Sequence, residues 1–215
     1  MKIVLLGATG KVGGPILSEL LDRGHQVTAV VRDASRLPTA GDGLTHRAGD
    51  VFDESFLAEV VAGAEVLVCS VALRDPAQRD RTPARLIGGV ARAAAAAGAR
   101  LVTMGGAGSL RTSAGIDLVD TPGFPEVAKA ESLGFREALH NLIDDAPDGL
   151  AWTMLSPPVS IEVDAPRTGA YRTADDTLIV DEAGASRISA ADLAVALVDE
   201  VERPAHPGRR FSVGY

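Results

Sequence analysis

Gly7, Gly10 and Gly13 stand between an apolar run at 3–6 and an amphipathic pattern that opens at Pro15, Ile16 and Leu17. Strand, glycine turn and helix in that order form a phosphate cradle. Gly7 allows the tight turn. Gly10 lets the backbone approach a pyrophosphate where a Cβ would collide. Gly13 lets the following helix pack against the strand. The helix start offers N–H groups and the positive end of its dipole to the anion. Thr9, Lys11 and Val12 lie within this turn and are counted with it as ligand contacts.

The remaining candidates sit where later apolar runs end. Arg32 and Asp33 follow the run Gln26–Val31, the place where a ribose 2′-hydroxyl or 2′-phosphate is met. An arginine first and an acid second favours NADP, with NAD the alternative. Asp50 and Val51 follow Leu44–Ala48; Asp50 on its own reads equally well as a turn cap. Ser70, Val71, Ala72 and Leu73 end the run at 65–70 and face the glycine turn across the switch point of such a sheet. Gly105 and Pro157 end two further runs, at 100–105 and 151–155. Ser109, the nearest serine that could polarise a carbonyl, lies several residues late, and a serine satisfying its own loop is the plainer reading.

These positions need an α/β scaffold: a doubly wound, mostly parallel sheet with helices on both faces. The apolar runs alternate with helical patterns over 15–23, 54–63, Pro83–Ala97, Glu126–Asp145 and 188–202, and Arg209–Gly214 closes as a strand. Residues 74–82 and 111–125 read as loops, the second over the active site, and 167–180 reads as a hairpin-like excursion walling the substrate side. No repeat or linker divides the chain, so 1–215 is expected to be one dinucleotide-binding domain.

Composition narrows the function. The 215 residues carry 29 acids and 21 bases, a net charge of −8, which disfavours nucleic acid and anionic membrane as partners. One cysteine, Cys69, allows no internal disulfide, and the apolar N-terminal run is too short for a signal peptide or a span; the expectation is a soluble, cytoplasmic protein. His25, His46, His140 and His206 lack paired spacing, so no metal site is expected. The Ala-rich helix at 84–97 fits either the sheet or a partner, leaving monomer or homodimer open.

Carbonyl reduction needs a proton donor, commonly Tyr-x-x-x-Lys. Of the two tyrosines, Tyr171 and Tyr215, neither has a lysine four residues on, and the residue four before Lys129 is Pro125. A flavin or quinone spreads the incoming negative charge and takes its proton from water, so it needs placement more than an acid.

Taken together, GATGKVG (7–13), AVVRD (29–33), GGAGSL (105–110), DTPGFP (120–125), WTMLSP (152–157), RTGAYR (167–172), SRIS (186–189) and RFSVGY (210–215) resemble the atypical and extended short-chain dehydrogenases/reductases. Within that superfamily they are most similar to the NAD(P)H–flavin reductase group related to biliverdin reductase B and to NmrA-like proteins. The resemblance implies a Rossmann fold, NAD(P)H, Asp50-Val51 against the adenine, and a flavin- or quinone-like small-molecule acceptor. Group members carry Tyr-Lys where this chain has Ala128-Lys129, so any role of that tyrosine is lost. The acceptor is expected among Leu73, residues 107–110, Pro157–Pro158 and Tyr171. Lys129 is a candidate to hold the nicotinamide ribose or a substrate carboxylate, with an ordinary surface lysine the plainer reading. The alternative is a non-catalytic NAD(P) redox sensor of NmrA type.

Overall fold

The computed structural model describes residues 1–32, 41–73 and 80–215. Asp33 and most of the 74–82 stretch lie outside them. The apolar runs form strands β1 (Lys2–Leu6), β2 (Gln26–Val31), β3 (Leu44–Ala48), β4 (Val66–Cys69), β5 (Arg100–Met104) and β6 (Trp152–Ser156). They are joined by helices α1 (Gly13–Asp22), α2 (Glu54–Val61), α3 (Pro83–Ala97) and α4 (Glu126–Asp145). Then follow β7 (Ser160–Glu162), β8 (Arg172–Ala174), β9 (Arg187–Ser189), α5 (Ala190–Glu202) and β10 (Arg209–Gly214).

The main sheet has the order β3-β2-β1-β4-β5-β6-β10-β8, parallel throughout except for the β10–β8 pair. Because β1 is buried on both faces, its residues divide between two cores. Ile3 and Leu5 pack with Ile16, Leu20 and Leu197 of α1 and α5. Val4 and Leu6 pack with Leu57, Ile87 and Val90 of α2 and α3. Each large apolar side chain so enclosed contributes about 2 kcal/mol. The sheet is therefore doubly wound. The chain runs outward from β1 to β3, then returns to the other side of β1 as β4, which leaves a crevice above the carboxyl ends of β1 and β4. The Ala-rich α3 buries Leu86, Ile87, Val90, Ala91 and Ala94 in the second core, so that face is turned inward.

Local chemistry sets the boundaries. Asp53 caps α2 by accepting from the Ser55 and Phe56 amides at 2.9 and 3.2 Å. Thr82 caps α3 ahead of Pro83. No helix among the described residues is long and apolar enough to cross a membrane.

Three details differ from the sequence reading. The last helix starts at Ala190, not 188: residues 187–189 pair in parallel with β7, and Ser189 Oγ caps α5 by accepting from the Asp192 amide at 2.9 Å. The 167–180 excursion forms no strand pair of its own; Arg172–Ala174 pairs antiparallel with β10, Thr173 opposite Val213, and Arg172 donates to Val180 O at 2.7 Å. The 111–125 loop is tied to α4, where Arg136 donates to Asp117 and Asp120 at 3.2 and 2.6 Å and Val119 is buried.

Candidate functional site

The glycine turn is built as its spacing requires. Gly7 has φ +86°, and a Cβ there would stand 3.0 Å from the backbone carbonyl of Ser70. Its amide donates to Val30 O at 3.2 Å, so the turn is wedged between the ends of β2 and β4. A Cβ on Gly13 would fall 2.0 Å from Gly7 O. Gly10 is different: only Gly7 O at 3.2 Å and Gly13 N at 3.9 Å come near its Cβ position, so its outer side is open. No side chain caps the N-terminus of α1 and no acid lies in its first turn. That positive helix end is left to meet an anion.

The turn forms one wall of a cleft of about 610 Å³. Gly7, Thr9, Gly10, Lys11 and Val12 line it, together with Arg32, Asp50, Val51, Ser70, Val71, Ala72 and Leu73. Gly13 sits behind the turn as a packing glycine. The Ser70 hydroxyl donates to Leu6 O at 3.0 Å, which fixes the end of β4 on β1.

At one end of the cleft Asp50 does two things. Oδ1 accepts from the Phe52 amide at 3.0 Å, the turn-capping role. Both carboxylate oxygens also accept from the guanidinium of Arg81. Arg81, with Phe52 and Arg32 nearby, holds the Asp50 carboxyl below the usual carboxylate range, despite partial burial. Arg81 and Phe52 line the cleft as well, and neither stands out in the sequence: a lone arginine in a polar stretch carries no periodic signal. At the other end, Glu131 of α4 accepts from the Leu73 amide at 3.1 Å and ties that wall to the helix. No sequence pattern marks this contact either.

Six of the expected residues stand elsewhere. Tyr171 does not wall the acceptor pocket. Its hydroxyl donates to Asp199 Oδ2 of α5 at 2.5 Å. Ser109 is buried, and its carbonyl and hydroxyl accept from Arg210 of β10 at 2.9 and 2.8 Å; it anchors the last strand instead of facing a carbonyl. Leu110 beside it is fully enclosed and belongs to the core. Lys129 is half-exposed and 4.0 Å from Glu126, one turn back, away from the cleft lining. Gly105 packs against Met154 and Ser156 of β6, where a Cβ would come within 2.8 Å of the Met154 sulfur. Pro157 is buried just past β6 and outside the cleft lining.

The other tyrosine is committed in the same way: Tyr215 donates to Asp192 of α5 and accepts from the Ser189 amide. Cys69, inside β4, has its thiol pushed up to about 11 by burial, which makes it an inert core residue.

A doubly wound sheet with a glycine turn opening an uncapped helix at its switch point defines a dinucleotide-binding protein. The chain belongs to the NAD(P)H-binding family, which matches residues 7–204. It is 35% identical to the uncharacterised Bacillus subtilis protein YwnB, over 99% of this chain and 98% of that one. Among solved structures it is similar to a proposed epimerase of Bacteroides thetaiotaomicron, with 34% identity and a TM-score of 0.90 over all of this chain and 96% of that one. It is also similar to a Streptococcus pneumoniae protein proposed to be an NADH–flavin reductase, with 31% identity and a TM-score of 0.86 over 100% and 99% of the two chains.

Proposed function

We propose that the protein is an NAD(P)H-dependent oxidoreductase that passes hydride to a flavin, a quinone or a similar conjugated acceptor, with NADPH the preferred donor and no tyrosine as acid. One observation carries the reading. An open dinucleotide cleft coexists with two tyrosines whose hydroxyls are both bound to carboxylates of α5. A ketone or sugar substrate needs a donor at its developing oxyanion; a conjugated ring does not. The likeness to the pneumococcal protein supports the same acceptor class.

The residues fit the cofactor. The open outer side of Gly10 leaves room for the pyrophosphate, and the uncapped start of α1 meets its charge. Arg32 is exposed at the end of β2, where a 2′-phosphate belongs. When bound, the dinucleotide supplies a hydride from its nicotinamide ring. The chain's part is placement: Ser70 to Leu73 would form the wall beside the ring, a wall that Ser70 pins to β1 and Glu131 holds from α4. The test is binding of NADPH and NADH by fluorescence, then addition of FMN, riboflavin and a quinone. Rapid loss of the nicotinamide signal with one of them is expected. Tight NADPH binding with no turnover on any acceptor contradicts the reading and favours a redox sensor.

A further inference from the structure

The Asp50–Arg81 pair has a geometry that a simple anion hook does not need. Nη1 and Nη2 of Arg81 donate to the two oxygens of one carboxylate, an arrangement that fixes the plane of the guanidinium. The Arg81 Cζ also lies over the Phe52 ring, 4.8 Å from its centroid. All three residues line the cleft with Arg32, and in a dinucleotide fold the end of the second strand is where the adenosine ribose is met. The carboxylate meets the charge of Arg81, so little net charge is left there for a phosphate. What remains on the cleft side is a flat, weakly hydrated π surface, already oriented.

We propose that Arg81 is the stacking platform for the adenine ring, with Asp50 and Phe52 as the positioning residues that hold its plane. The proposal rests on the cleft being the dinucleotide site. It does not depend on the acceptor. It also reassigns Asp50, whose expected place against the adenine is taken by the guanidinium it holds. Lysine cannot substitute for Arg81: it keeps the charge and loses the plane.

The test measures dissociation constants for NADPH, 5′-AMP and reduced nicotinamide mononucleotide on the wild type, Arg81→Lys, Arg81→Ala and Asp50→Asn, with the melting temperature of each. Both Arg81 variants are expected to weaken 5′-AMP and NADPH by about tenfold, the scale of one base stack. The mononucleotide, which has no adenine, stays within about twofold. Asp50→Asn moves the same ligands in the same direction. Normal 5′-AMP binding by Arg81→Lys would show that charge alone suffices and overturn the proposal. An equal loss for the mononucleotide, or a large drop in melting temperature, would show a general distortion and overturn it too. Failure of the wild type to bind NADPH at all would refute the cleft assignment itself. Failure of turnover with binding intact would touch only the proposed reductase activity.

Discussion

Tyr171 and Asp199 share a hydrogen bond of 2.5 Å, and the other oxygen of Asp199 accepts from Arg23 at 2.7 Å. Arg23 follows the C-terminus of α1, whose 10 residues put it about 15 Å from the glycine turn. Tyr171 therefore serves the contact between α1 and α5. Tyr171→Phe is expected to leave cofactor affinity and turnover within about twofold and to lower stability by about 1–2 kcal/mol. Steady-state kinetics beside a thermal melt separates the two; a loss of turnover at unchanged stability would return Tyr171 to the active site.

The same interface sets an acid limit. Burial would raise the Glu19, Asp199 and Glu202 carboxyls. Hydrogen bonds from Arg167 and Arg23 to Glu19, from Tyr171 and Arg23 to Asp199, and from Arg23 and His25 to Glu202 outweigh it and hold all three below their ordinary values. Groups depressed in the native state contribute stability above about pH 4 and lose it as pH falls through their native values. Arg23→Ala should thus cost most at neutral pH, and its deficit should shrink toward pH 3. Melting temperatures of both proteins across that range check the sign.

Gly10 and Gly13 separate ligand space from packing. Gly10→Ala must move Gly7 O by only a few tenths of an ångström, and is expected to melt within a few degrees of the wild type while losing NADPH affinity by tenfold or more, about 1.4 kcal/mol. Gly13→Ala, with its Cβ 2.0 Å from Gly7 O, must displace the turn and is expected to lower stability and binding together. Equal melts and equal affinities for the two variants would contradict this division.

Arg32 lines the cleft at the end of β2. Arg32→Ala is expected to raise the NADPH Kd about tenfold and the NADH Kd less than twofold, the difference being one charge-assisted phosphate contact. A parallel change for both cofactors would remove Arg32 from 2′-phosphate recognition.

Much of this architecture was legible because it is local. The apolar runs at 3–6 and 26–31 are buried strands, Pro83 opens a helix, and the glycine spacing marks one turn. What was not legible depends on partners far along the chain. Tyr171 finds Asp199, Ser109 finds Arg210, and Arg172–Ala174 finds β10, none through a periodic pattern. From the sequence Ser109 reads as a late candidate to polarise a carbonyl or, more plainly, as a serine satisfying its own loop, because only its distance from a strand end is visible. The arginine that claims it lies 101 residues away. Arg81 went unmarked for the same reason: its value comes from Asp50 and Phe52, brought to it by the β3–α2 turn.

Anaerobic mixing of NADPH and FMN with the wild type and with Gly10→Ala is the most direct test of hydride transfer at this cleft. The wild type is expected to show stoichiometric nicotinamide oxidation and flavin reduction, with Gly10→Ala slower by about tenfold or more at NADPH concentrations below its Kd. Wild-type protein that binds NADPH yet reduces neither FMN nor a quinone faster than Gly10→Ala would contradict it.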